Sequence, residues 1–151
     1  MLFDQDAITP ELFGGYSASL DFRLSGVASS ALHIVQSPPV LLWNSAVYLA
    51  RNWWDEKGAS VATLPAAKGM RVLDLGAGLG VCSLTAAALG AKEVVACEIE
   101  PALQALRASL RRNSHSCNHD RIVAVELPWG VGAEHSIVHP GDEAFDVRAR
   151  T

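Results

Sequence analysis

Hydrophobic and polar positions alternate near the start of the chain and fall at helical spacing further on. Between Tyr16 and Leu24, Leu20, Phe22 and Leu24 lie on one side while Asp21 and Arg23 lie on the other. That is the period of a half-buried strand. Ala31 to Val35 reads as a second strand, ended by Ser37-Pro38-Pro39. With turns at Gly14-Gly15 and Ser25-Gly26, the pattern predicts a small β-hairpin in an N-terminal extension, residues 1–40. From Trp43 to Trp54 the spacing of Ala46, Leu49, Ala50 and Trp53 makes one apolar helix face. Asn44 or Ser45 is the expected cap and Gly58 the expected end.

The next hydrophobic runs are strand-like and helix-like in turn. Met70–Leu75 is a short apolar strand followed at once by a glycine-rich run. Val81–Leu89 is a helix of small and apolar residues closed by Gly90. Glu93–Cys97 is a strand, and Pro101–Arg112 an amphipathic helix with Leu103, Leu106 and Leu110 as its stripe. Its first turn tolerates Pro101, and Arg107, Arg111 and Arg112 suit its C-terminal half. Ile122–Leu127 is a third strand, and Ala144–Val147 starts a fourth. Strand and helix in alternation predict an α/β fold with a doubly wound parallel sheet. The right-handed crossover rule makes a Rossmann-like half domain over residues 41–147 the economical arrangement. Residues 148–151 read as a divergent tail, because arginines at 148 and 150 do not suit a strand buried on both faces.

Composition narrows the class. At 151 residues, half of them hydrophobic, the chain can bury one domain's core. Its net charge of −4 argues against a nucleic-acid-backbone binder. Cys82, Cys97 and Cys117 have no framework spacing. Cys82 and Cys97 stand in apolar runs and are expected as reduced core residues, and no Cys–His cluster suggests a metal. His33, His115, His119, His135 and His139 read as solvated or incidental. Residues 1–10 resemble neither a signal peptide nor a presequence. The apolar stretch Val40–Ala50 is interrupted by Asn44 and Ser45, well short of the about 20 residues of a bilayer span. A soluble cytoplasmic protein, with the nucleus open to it, is the expectation. No membrane or nucleic-acid partner is expected, and the oligomeric state is not legible.

The candidate chemistry lies in the glycine-rich run. Asp74-Leu75-Gly76-Ala77-Gly78-Leu79-Gly80 is Asp-x-Gly-x-Gly-x-Gly, not the Gly-x-Gly-x-x-Gly of dinucleotide folds. Such a turn between strand and helix lets a ligand approach the backbone. The departure from the dinucleotide pattern favours a ligand without phosphates. S-adenosyl-L-methionine is one, and the positive charge on its sulfonium and amino groups suits an acid at Asp74. Glu98, 20 positions after Gly78, ends the second strand, where a carboxylate can accept both ribose hydroxyls. Glu100 is the rival acid, better placed at the start of the next helix.

Three segments then carry a resemblance: Leu42-Trp43-Asn44-Ser45-Ala46; Val72 to Gly80 continuing to Leu89-Gly90-Ala91; and Glu126-Leu127-Pro128-Trp129-Gly130, with Phe145-Asp146 beyond. Together they resemble the family-16, or methyltransferase-like-21, group of protein-lysine methyltransferases, over about residues 35 to 147. The resemblance implies a Rossmann-like seven-β-strand methyltransferase fold, S-adenosyl-L-methionine as cofactor, and a protein substrate with a target lysine. It implies cofactor contacts at Trp43, Gly76, Ala77, Gly78, Glu98 and Trp129, to which the loop pattern adds Asp74 and Gly80. An indole can cover the adenine or the methionine end of such a ligand. The bland alternative for both tryptophans is packing, which is also the reading for Trp53 and Trp54.

After Phe145-Asp146 the chain departs from that family's pattern, which continues through an apolar strand to an Asp-x-x-Tyr motif and further strands. The sheet is therefore expected to be incomplete, about its first half, and the chain by itself inactive. No catalytic residue is assigned. Methyl transfer is a displacement that needs alignment and a neutral nucleophile. Beside a protein-lysine methyltransferase in full-length form stand two alternatives: a small-molecule methyltransferase, and a noncatalytic fragment that only binds cofactor or a partner.

Overall fold

The computed structural model describes residues 19–22, 32–36, 40, 42–54, 67–115, 117–130 and 147–150. The elements are β1 (Ser19–Phe22), β2 (Leu32–Val35), α1 (Asn44–Trp54), β3 (Arg71–Leu75), α2 (Val81–Ala88), β4 (Glu93–Glu98), α3 (Ala102–Arg112), a 3-10 turn at His119–Arg121, β5 (Ile122–Glu126) and β6 (Val147–Arg150). β1 and β2 form the expected antiparallel pair, with Leu20 opposite Ile34. The other strands make one parallel sheet in the order β5-β4-β3-β6. This is the α/β, Rossmann-like arrangement. The order runs outward from β3 to β5 and then jumps back to β6, so it reverses beside β3. In an open α/β sheet that switch point is where ligands sit, beyond the carboxyl ends of the strands.

α2 and α3 cover the same face of the sheet. Val72 and Val94 pack with Ala86 and Ala87 of α2, while Ala96 clusters with Leu103, Leu106 and Leu110 of α3. Successive right-handed crossovers in one direction require this. Outside the helices lies a further layer. Leu32 and Ile34 of β2 and Val47 and Ala50 of α1 join the α3 leucines in one cluster. Enclosed in this way, α2 is buried on every side from Val81 to Ala87, which explains its apolar sequence all round. Its end follows the sequence reading: Gly90 has φ 89°, its N–H donates to Ala87 C=O, and Ala91 N–H reaches Ala86 C=O.

Two boundaries differ from expectation. Helix α1 is capped by neither Asn44 nor Ser45. The carbonyl of Trp43 accepts the first N–H groups, from Ala46 at 3.1 Å and Val47 at 3.3 Å, so Trp43 is the capping residue. The fourth parallel strand is Val147–Arg150, reaching further than the expected Val147; Ala144 to Asp146 lie outside the described residues. The register sets Val147 and Ala149 beside Val72 and Asp74, and Arg148 and Arg150 beside Leu73 and Leu75. Among the described residues β6 is an edge strand, where alternating charge is tolerated. The Gly14-Gly15 and Ser25-Gly26 turns, the end of α1 at Gly58, His135, His139 and the side chains of Trp53 and Trp54 also lie outside the described residues. No described helix is long and apolar enough to cross a membrane.

Candidate functional site

The glycine run forms the turn between β3 and α2. Two consecutive amides, Gly76 N–H and Ala77 N–H, donate to the carbonyl of Cys97 at 3.0 and 2.9 Å. The loop is thereby tied to the carboxyl end of the neighbouring strand. Glycine is required at Gly76, Gly78 and Gly80, which take φ values of 73°, 54° and 81°. The three do different work. A Cβ on Gly78 would meet nothing within 4 Å, so the loop's tip faces open space. A Cβ on Gly80 would lie 2.6 Å from Leu106 Cδ1, so Gly80 allows α3 to pack against the start of α2. Ala77 is buried in the core cluster and offers only its backbone to the loop.

Glu98 ends β4 and reaches across the loop. Its Oε2 accepts Gly78 N–H at 2.8 Å and its Oε1 accepts Ile99 N–H at 2.9 Å. A carboxylate has about four acceptor positions, so each oxygen keeps one after these bonds. Two acceptors on one rigid group, beside open space, match a vicinal diol. Glu100 is exposed and precedes the helix.

Asp74 is placed differently from the expectation. It is fully buried, and its Oδ2 accepts the Ser83 hydroxyl at 2.6 Å. The carboxylate thus ties β3 to α2 beneath the loop. Its charge also reaches two buried thiols. Burial first, then Asp74, raises the pKa of Cys82; burial, then Asp74 and Glu98, pushes Cys97 up to about 11. All three cysteines are free, and Cys82 and Cys97 are buried.

Trp43 and Trp129 stand at the same end of the sheet. Leu127 N–H donates to Glu98 C=O, which carries the chain past Glu98 to Trp129. Ala46 C=O is 3.7 Å from Cys82 Sγ, which sets the first turn of α1, and Trp43 before it, beside the start of α2. Both indoles are largely exposed, Trp43 at 75% and Trp129 at 68%. Neither is therefore a core residue.

Two amides that sequence reasoning did not single out organise the surroundings. Asn113, fully buried at the end of α3, acts as a strand partner for His33. Its Oδ1 accepts His33 N–H at 2.8 Å, and its Nδ2 donates to His33 C=O and to Ser109 C=O, both at 2.7 Å. Gln36, 7% exposed, accepts Leu42 N–H on Oε1 at 3.0 Å.

A family model described as lysine methyltransferase matches residues 27–143, most of the chain. Protein N-lysine methyltransferase METTL21A of Danio rerio is 40% identical over 63 residues, which cover 42% of this chain and 28% of that protein. Among solved structures, that of SMU.776 complexed with SAH superposes with a TM-score of 0.60 at 12% identity, covering 88% of this chain and 32% of that one. This likeness concerns the fold alone. The chain thus spans about a third or less of the length of these relatives.

Proposed function

We propose, from the premise that this chain belongs to the lysine methyltransferase family, that it holds S-adenosyl-L-methionine on the glycine loop for methyl transfer to a protein lysine. The observation that carries the cofactor assignment is the Glu98 carboxylate, held 2.8 Å from Gly78 N–H beside the open tip of the loop. A purely structural acid there would have no need of open space and two remaining acceptor positions. SMU.776 is complexed with SAH on a similar fold. The lysine acceptor is supported by the family's description and by the partial match to METTL21A.

The residues divide the work. Glu98 accepts the ribose hydroxyls. Gly78 leaves room for the ligand against the backbone. Trp43 and Trp129 supply exposed apolar surface for the adenine or methionine portions. Asp74, through Ser83, and Cys97, through its carbonyl, keep the loop's shape. When bound, the cofactor supplies the electrophilic methyl group. The lysine must arrive neutral, which desolvation at an apolar rim favours by lowering its pKa.

Titration calorimetry of the chain with S-adenosyl-L-homocysteine tests the cofactor site. Glu98→Ala is expected to weaken binding by about 1–3 kcal/mol, the cost of leaving hydroxyls without a charged acceptor. Unchanged affinity in Glu98→Ala would end the ribose assignment, and an equal loss in Glu100→Ala would transfer it. Radiolabelled methyl transfer into lysate protein, with the label found on lysine by mass spectrometry, tests the acceptor. Label on small amines only would favour a small-molecule methyltransferase. Binding without any transfer would leave a cofactor-binding fragment.

A further inference from the structure

Trp43 presents a difficulty. Its indole is 75% exposed, yet the proposed function needs the indole at one place beside the loop. An exposed side chain is not fixed by its own packing, so its backbone must be fixed instead. On the C-terminal side this is done by α1. Trp43 C=O accepts two amides of the first turn, and α1 is seated through Val47 and Ala50 in the core. On the N-terminal side the residue before it, Leu42, has its N–H bound by the Gln36 side chain.

Gln36 is itself firmly placed. It follows β2 directly, and β2 is held by Leu32 and Ile34, both at 0% exposure, and by the Asn113 amide on His33. A hydrogen bond between backbone positions six residues apart, made by a long side chain that is 7% exposed, closes the path from the hairpin back to the start of α1. Glutamine has a high rotamer entropy, and burying it at one position costs free energy unless the bond it makes is needed.

We infer that Gln36 is a positioning residue for the cofactor site: its Oε1, by holding Leu42 N–H, sets where the Trp43 indole stands. The inference rests on the reading of Trp43 as a cofactor contact. A glutamine that merely satisfies a loop amide would affect the whole fold and would not act through Trp43.

A double-mutant cycle separates the two roles. Affinity for S-adenosyl-L-homocysteine is measured by calorimetry on the full chain, on Gln36→Leu, Trp43→Ala and the double variant, and on Gln36→Glu, with thermal unfolding followed in parallel. Gln36→Leu is expected to weaken binding about five-fold, in line with one lost hydrogen bond. In the Trp43→Ala background the same change should weaken it no further. Gln36→Glu keeps an acceptor at the same reach and should retain most of the affinity. If Gln36→Leu does not fold, Gln36→Ala takes its place in the cycle. Equal losses with and without Trp43, or no loss in either, overturn the inference. Full affinity in Trp43→Ala overturns it too, while leaving the Glu98 site standing. A chain that binds no S-adenosyl-L-homocysteine at all instead overturns the cofactor reading beneath it.

Discussion

Glu98, Gly76, Gly78 and Gly80 were legible because a short motif on a strand–loop–helix frame fixes both their conformation and their neighbours. Gln36 and Asn113 were not, because their partners are backbone groups that no sequence pattern advertises. Asn113 binds His33 from 80 positions away. The bond from Ser83 to Asp74 was not legible either, since an acid at the end of a strand can face the loop or the helix beneath it. The glycines differ in a way that the motif hides. Gly78→Ala places a Cβ in open space at φ 54°, and should cost only the left-handed penalty of about 1–2 kcal/mol. Its effect should fall on ligand affinity, by more than about ten-fold if the methyl occupies ligand volume. Gly80→Ala adds a 2.6 Å approach to Leu106 on top of φ 81°, and should cost about 2–4 kcal/mol of stability. Urea denaturation and calorimetry on both variants check this. A Gly80→Ala protein as stable as Gly78→Ala would contradict the packing role.

At the scale of elements, the alternation of strand and helix from Met70 to Glu126 was readable to within one or two residues, because each element has a clean period. β6 was readable only at its start, because V-R-A-R carries no apolar run, and among the described residues it is an edge strand. The contact between hairpin and helix was not readable at all. It is a joint between β2 and the end of α3, made of leucine packing and one amide that copies a β-ladder partner. Asn113→Ala would remove the amide that bonds His33 N–H and His33 C=O, while Ser109 C=O keeps the backbone N–H of residue 113. With about 1–3 kcal/mol for a buried group left unsatisfied, and some of these regaining water, a loss of about 2–4 kcal/mol is expected. Hydrogen exchange at the His33 amide should rise with it. If the denaturation midpoint stays put while that amide exchanges faster, the joint is local and the hairpin contributes little to global stability.

At the scale of the whole molecule the described residues form layers on one side of the sheet: β3, β4 and β5, then α2 and α3, then the hairpin and α1. The sequence suggested a hairpin extension over residues 1–40 ahead of the half domain. The packing argues that the two fold together. Leu32 and Ile34, fully buried, lie on Leu103, Leu106 and Leu110, and those leucines in turn cover Ala96 of the sheet. Full burial of a leucine or isoleucine contributes about 1.5–3 kcal/mol, so these two side chains alone amount to about 3–6 kcal/mol. Domains of this size have about 5–15 kcal/mol in all. A chain beginning at residue 41 would lose that contribution, expose the outer stripe of α3, and leave the Asn113 amide with no strand to hold. It would also lose Gln36, and with it the tether of Leu42. The expected outcome is a protein without a cooperative thermal transition and without affinity for S-adenosyl-L-homocysteine, measured by circular dichroism and calorimetry beside the intact chain. A shortened chain that unfolds cooperatively near the original midpoint would show that the hairpin is an appendage, and that the sheet and its two helices carry the site alone.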